Sequence, residues 1–275
     1  MSAAYARAVS LAVISGLIAS AVMLVLIPIG AVTLFRARRL YALAARWTCR
    51  CILRLYGVSV RVVADGTEWF PNRQVVYISN HTSTLDLFVL VALGLPNCRF
   101  FLSGFLRKFV PLGIISWMMG TFFTVPQDRP AERVRIFQRA DGTLRRTGES
   151  VYLSPEGGRI TTGEIGHFNR GAFHLATSLR VPIVPFYIHI PRESDPGLGY
   201  DARPCRVTVH VMRSIDTSTW TVADVDRNRD RVRALFVAMH AQLGSSGARE
   251  LGLPAGLSAA ASAKAEALAK AGART

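Results

Sequence analysis

The stretch Gln74-Val75-Val76-Tyr77-Ile78-Ser79-Asn80-His81-Thr82-Ser83-Thr84-Leu85-Asp86 reads as a short apolar strand that breaks into a polar turn, and the apolar run at 87–95 continues it as a helix. The turn therefore joins a buried strand to a helix N-terminus, where free backbone N–H groups stand beside whatever side chains the turn presents. It presents a histidine and an aspartate with four residues between them. A neutral imidazole held by a carboxylate takes a proton from a hydroxyl or amine nucleophile. The spacing alone is weak evidence, because Ser83 and Asp86 also fit a capping box in which Asp86 simply closes the first helical turn.

The same alternation continues outward. Apolar, β-branched runs predict strands at 58–63, 75–79, 99–103, 121–125, 151–154, 183–188 and 207–212. Helical patterns are predicted at 85–93, 132–147, 171–178 and 226–243. Alternating elements of this kind give an α/β fold, a mixed sheet flanked by helices, over a domain at 57–243. The stretch 244–275 is rich in Ala, Gly, Ser and Lys and is expected to be a mobile tail.

The chain has 275 residues, enough for one sizeable α/β domain with an appendage, and a net charge of +15. Such an excess predicts an anionic partner, nucleic acid or an anionic bilayer. The N-terminus decides for the bilayer and against nucleic acid. No charged residue lies between Arg7 and Arg36, a run longer than the ~20 residues that cross a hydrocarbon core. It also exceeds the ~7–15-residue apolar region of a signal peptide. A membrane-embedded helix is expected, with Pro28 and Gly30 placed to kink or end it. Arg36, Arg38, Arg39, Arg46, Arg50 and Arg54 follow, interleaved with Leu40, Leu43, Trp47, Ile52 and Leu53. This pattern predicts a basic amphipathic helix on the membrane surface, so that 1–56 forms the anchor. The arginines on the C-terminal side of the span place the main domain on the cytoplasmic face of the inner membrane. The four cysteines lack paired spacing and the histidines add no ligand cluster, so no metal site is expected.

Three further segments carry chemistry. In Gly120-Thr121-Phe122-Phe123-Thr124-Val125-Pro126-Gln127-Asp128-Arg129 a strand delivers Arg129 to a loop, where a guanidinium can grip a phosphate with two parallel hydrogen bonds. A lone arginine after a strand is otherwise a solvated charge. Val151-Tyr152-Leu153-Ser154-Pro155-Glu156-Gly157-Gly158-Arg159 runs from a strand into a two-glycine turn that suits close backbone approach to a ligand. Its bland reading is an ordinary turn with a Glu/Arg surface pair. Val181-Pro182-Ile183-Val184-Pro185-Phe186 reads as an edge strand or a strand start, because of its prolines.

In this order the four segments resemble the glycerolipid acyltransferase family, of the 1-acylglycerol-3-phosphate acyltransferase kind. The family pattern is His-x4-Asp, Gly…Arg, Phe-Pro-Glu-Gly-Thr-Arg and Val-Pro-x-x-Pro. Phe168-Asn169-Arg170-Gly171 is similar to its Phe-Lys-x-Gly segment. The resemblance covers about 58–212. It implies an O-acyltransferase of phospholipid synthesis that needs no cofactor. The donor is acyl-coenzyme A or acyl carrier protein, and the acceptor is a lysophospholipid, lysophosphatidate foremost. It implies that His81 is the general base and that Asp86 holds its imidazole. Arg129 and Arg159 bind the acceptor phosphate, and Glu156, Gly157 and Gly158 shape the pocket. Three departures fall near that pocket: Gly158 stands where Thr is usual, Ser154 where Phe is usual, and Pro126-Gln127-Asp128 where a shorter apolar run is usual. They leave open another acceptor, such as a lyso-ornithine lipid. A non-catalytic protein that binds anionic membranes is a further alternative. His167, His174 and His189 lie near the motifs and are expected to be structural or to form pocket walls.

Overall fold

Residues 3–64 and 71–250 are described in the computed structural model of the chain. Two long helices lead, α1 (Ala3–Val32) and α2 (Arg38–Leu55), and then strands and helices alternate. They are β1 (Val58–Ala64), β2 (Val76–Ser79), α3 (Leu85–Leu93), β3 (Cys98–Ser103), α4 (Val110–Met118), β4 (Phe122–Thr124) and α5 (Pro130–Thr147). β5 (Ser150–Leu153), α6 (Gly171–Leu179), β6 (Ile183–His189), β7 (Cys205–Val211) and α7 (Val225–Glu250) complete the chain. The strands form one seven-stranded sheet in the order β1-β7-β6-β2-β5-β3-β4. Every pairing is parallel except β6 with β7, so the sheet is mixed.

The two faces of the sheet are separated by side-chain alternation along each strand. Tyr77, Tyr152, Val184 and Phe186 point into a core shared with α2, α3 and α4. Val76, Ile78, Val151, Leu153 and Ile183 point the other way, into a core shared with α5, α6 and α7. The chain leaves β2 toward the first face through α3, and leaves the adjacent β5 toward the second through α6. Neighbouring parallel strands whose continuations diverge open a crevice at their carboxyl ends, which is where α/β sheets bind ligands. The His81 turn and the Glu156 turn both lie there.

Several expectations are adjusted. β6 is a central strand between β2 and β7, not an edge. Proline is tolerated in it because the β7 ladder begins at Phe186, immediately past Pro185. The apolar run 110–118 is a helix, α4, where the sequence pattern predicts no element. The run is nearly all apolar, so it carries no periodicity to distinguish it. α7 continues through Glu250, so the first seven residues of the expected tail are helical; the rest of that expectation lies outside the described residues. α1 passes through Pro28 and ends at Val32. Its segment Tyr5–Val32 is long and apolar enough to cross a membrane, with mean hydropathy 2.5 and only 11% of its most apolar window buried. α2 splits the apolar residues expected to face lipid. Ile52 and Leu53 are buried in the domain, whereas Leu40, Leu43 and Trp47 remain exposed.

Candidate active site

The pairing of β2 with β5 sets Ile78 opposite Leu153. Three residues further along each chain, that register brings His81 and Glu156 level with one another. The Glu156 carboxylate is buried and uses both oxygens on backbone donors. Oε2 accepts from the N–H of His81 at 2.5 Å, and Oε1 accepts from the N–H of Gly166 at 2.8 Å. Burial raises its pKa above the ordinary carboxylate range, although those two hydrogen bonds and the nearby His81 pull the other way. Glu156, to which the resemblance assigns a pocket-shaping role, engages both oxygens and holds the His81 backbone with one of them.

His81 and Asp86 meet as the spacing predicted. His81 Nδ1 lies 2.9 Å from Asp86 Oδ2. The same oxygen accepts from the N–H of Thr82 at 2.8 Å and of Ser83 at 2.9 Å. The helix-capping and imidazole-holding readings are therefore both true of one carboxylate. Ser83 Oγ adds a local cap by accepting from the N–H of Leu85. The Asp86 side chain is 1% exposed and that of His81 is 28% exposed, so a fixed acceptor is buried beneath an accessible ring. An N–H at Nδ1 directed to Asp86 leaves Nε2 as the free basic nitrogen.

The turn is secured from below by a residue the sequence reading did not single out. Asn80 is buried, with Nδ2 donating to Ile188 O at 3.0 Å and Oδ1 accepting from Ile188 N–H at 2.7 Å. This pair extends the β2–β6 ladder by a side chain. Asn169 does the same for the Glu156 turn, donating through Nδ2 to the carbonyls of Pro155 and Glu156, each at 3.0 Å. The only signal for Asn169 was its place in the Phe168–Gly171 segment, and nothing signalled Asn80 beyond its position beside His81.

The Glu156–Arg159 turn closes over this base. The N–H of Ile160 donates to His81 O at 2.8 Å. Gly157 has φ +70°, and a Cβ there would lie 2.7 Å from Asn169 Nδ2, so only glycine fits without strain. At Gly158 a Cβ would meet nothing within 4 Å. Arg159 is exposed and donates to Thr84 Oγ1, beside the start of α3. Arg129 is the residue before α5; its side chain is 62% exposed and its guanidinium lies 3.5 Å from Glu132. Its loop reaches the turn through Gln127, whose Nε2 would be 3.2 Å from a Cβ at Gly157. Arg159 thus belongs to the His81 cluster directly, whereas Arg129 stands at its margin. On the α2–α4 side, a narrow apolar crevice of about 40 Å³ is lined by Leu87 and Phe88, which follow Asp86, and by Phe100 and Ile115 among others.

The Acyltransferase family profile matches residues 61–189. The 1-acyl-sn-glycerol-3-phosphate acyltransferase of Saccharomyces cerevisiae is 30% identical over 213 residues, covering 74% of this chain and 69% of that protein. The chain belongs to the acyltransferase family. A human relative, 1-acyl-sn-glycerol-3-phosphate acyltransferase alpha, is 30% identical over 202 residues, covering 70% of this acyltransferase and 68% of its own length. The crystal structure of the 1-acyl-sn-glycerophosphate (LPA) acyltransferase PlsC from Thermotoga maritima superimposes with a TM-score of 0.63 at 19% identity, over 83% of this chain and 94% of that one. That likeness supports the fold. Membership in an enzyme family sets aside the non-catalytic alternative, and this acyltransferase carries its family's His-x4-Asp pair intact.

Proposed function

We propose that the protein transfers a fatty acyl group from an acyl thioester to the free hydroxyl of lysophosphatidate, giving phosphatidate. The observation that carries the reading is the His81–Asp86 pair, an accessible imidazole whose Nδ1 is held at 2.9 Å by a buried carboxylate. In the proposed reaction His81 Nε2 removes the acceptor's hydroxyl proton as the oxygen attacks the thioester carbonyl. The tetrahedral intermediate collapses with cleavage of the C–S bond, and the leaving thiolate takes the proton from the imidazolium. A base positioned in this way contributes roughly 10²–10⁴-fold in rate. No side chain forms a covalent intermediate and no cofactor takes part.

Arg159, beside α3 and His81, is assigned the acceptor's phosphate, with Arg129 reaching in from the margin. The apolar crevice along α3 supports a hydrocarbon chain beside the dyad, and it must widen to admit one. The names of the relatives support lysophosphatidate as acceptor. The bilayer is assigned as the place of reaction on α1, with the basic α2 on the cytoplasmic face of the inner membrane.

The experiment is acyl transfer by the reconstituted protein from acyl-coenzyme A and from acyl carrier protein to a panel of lyso-lipids. Lysophosphatidate should be the preferred acceptor. Preference for an uncharged lyso-lipid or a lyso-ornithine lipid would move the acceptor assignment while leaving the chemistry in place. The open space at Gly158 is the observation that would then need explaining.

A further inference from the structure

An open groove of about 1130 Å³ lies between α5 and α6, on the face of the sheet opposite α2, α3 and α4. Of its lining residues, Asn169 and Gln127 have been met above, at the Glu156 turn; the others have no role there. Its apolar lining includes Val134, Phe137 and Leu175. Phe137 also stacks on Phe101 with ring centroids 4.7 Å apart, and it packs so closely on α6 that a Cβ at Gly171 would be 2.5 Å from its ring. Gln127, Gln138 and Asn169 also line it, with Arg133, Arg170 and Arg229 as basic residues and Asp141 as the one acidic residue among those lining it. Arg170 and Arg229 share Asp226, at 2.6 and 2.7 Å. Among the described residues Arg133 bonds a backbone carbonyl, Val125 O at 3.3 Å, and no carboxylate, which leaves most of its guanidinium donors for an anion.

The groove is joined to the reaction centre. Two of its lining residues, Gln127 and Asn169, are the ones that crowd Gly157, and Asn169 holds the carbonyl of Glu156, whose carboxylate holds His81. A ligand in the groove therefore ends one turn from the base. Its approach is opposite to that of a lipid acceptor. α1 packs on α2 and α4, and the exposed Leu43, Trp47 and Trp117 lie on that side. Apolar and indole side chains exposed beside a span mark the membrane-facing surface. The groove faces away from it, where a water-soluble molecule arrives.

We propose that this groove holds the phosphopantetheine arm of the acyl donor, with the thioester delivered to His81 past the Gly157 turn. The arm is extended, carries two amides and one hydroxyl on an otherwise apolar chain, and ends in a phosphate. The groove offers apolar residues, amide side chains and Arg133 in the same combination, and its volume exceeds the roughly 300–1,000 Å³ typical of small-ligand pockets. The arm is common to coenzyme A and to a carrier protein. The inference rests on the thioester-donor reading above.

The test is direct binding of S-hexadecyl-coenzyme A, an unreactive thioether, to the purified full chain in detergent. Wild type, Arg133→Gln and Val134→Trp are compared after equal unfolding midpoints have been verified. About tenfold weaker binding is expected for Arg133→Gln, the loss of one charge-assisted phosphate contact, and at least as much for Val134→Trp, which adds bulk to the apolar lining. With S-hexadecyl-pantetheine, which lacks the phosphate, the Arg133→Gln loss should vanish while that of Val134→Trp persists. Carrier protein bearing an S-hexadecyl phosphopantetheine identifies the source: the same losses with carrier and none with coenzyme A would assign the arm to the protein-bound form. Binding of the coenzyme A and carrier probes alike left unchanged in both variants would overturn the groove assignment alone, as would a rise in KM for lysophosphatidate without one for the donor. Wild type that bound none of the three probes would overturn the thioester-donor reading itself.

Discussion

The two halves of the active site are held very differently. On the base side, Asp86 is buried and satisfies three donors with one oxygen, Glu156 grips the His81 backbone, and Asn80 ties the turn to β6. On the arginine side, Arg129 and Arg159 are exposed, each with a single side-chain partner near the site, Glu132 and Thr84 respectively. The base is thus organised by folding, whereas the groups assigned to the phosphate are left to be organised by the ligand. Catalysis gains most where no reorganisation is needed at the moment of reaction, and recognition of a lipid headgroup tolerates more freedom. Substitutions on the base side should therefore reduce kcat, and those on the arginine side should raise KM for the acceptor.

The largest effect is expected for Asp86→Asn. The amide oxygen of the variant can keep the backbone donors of Thr82 and Ser83 and the Nδ1 contact, but it lacks the negative charge that stabilises the imidazolium, so turnover should fall by roughly 10²–10⁴-fold while the fold survives. Steady-state kinetics beside a circular-dichroism melt check both parts; a change confined to KM would break the comparison. Next is Arg159→Ala, expected to raise KM for lysophosphatidate by about tenfold with kcat little altered. Arg129→Ala, further from His81, should do less. The reverse ranking would sharpen the comparison by moving the phosphate toward α5.

Stability tests separate the two glycines of one turn. Gly157→Ala forces an L-residue to φ +70° against Asn169 and should cost about 1–3 kcal/mol in chemical denaturation. Gly158→Thr, the residue usual in the family, meets open space and should change stability by under about 0.5 kcal/mol. The smallest effect is a pH slope. Because burial raises the folded-state pKa of Glu156, the folded protein binds the proton more tightly than the unfolded chain. That contribution is fully present below the unfolded pKa and is lost as pH rises through the folded value. Unfolding midpoints of wild type and Glu156→Gln from pH 4 to 8 should show this decline in wild type and its absence in the variant, over a constant offset from the altered hydrogen bonds.

The sequence disclosed what depends on local pattern. The strand entering Ser79, the helix at 85–93 and the His81–Asp86 meeting follow from runs and spacing within a few residues. What it concealed depends on register. Glu156 reaches the His81 backbone because β5 lies beside β2 with Leu153 against Ile78, although the two residues are 75 positions apart in the chain. Asn80 bonds to Ile188 across an even longer loop. α4 was hidden because a helix apolar on most sides has no period. The basic α2 was legible as a helix, but not in how it divides its apolar residues between the domain and the outside, since that division is set by α3 and α4 packing against it. Of the groove beside α5, only scattered lining residues such as Gln127, Asn169 and His174 stand in segments that the sequence singles out, and nothing there links them into one groove.

The most direct test of the central claim is the rate of acyl transfer to lysophosphatidate by wild type and His81→Ala, reconstituted side by side in the same vesicles. Loss of roughly 10²-fold or more in kcat, with the variant folded and its KM for acceptor and donor little changed, is the expected result. A variant that retains most of its kcat would contradict the assignment of His81 as the base and, with it, the role given to the buried carboxylate beneath it.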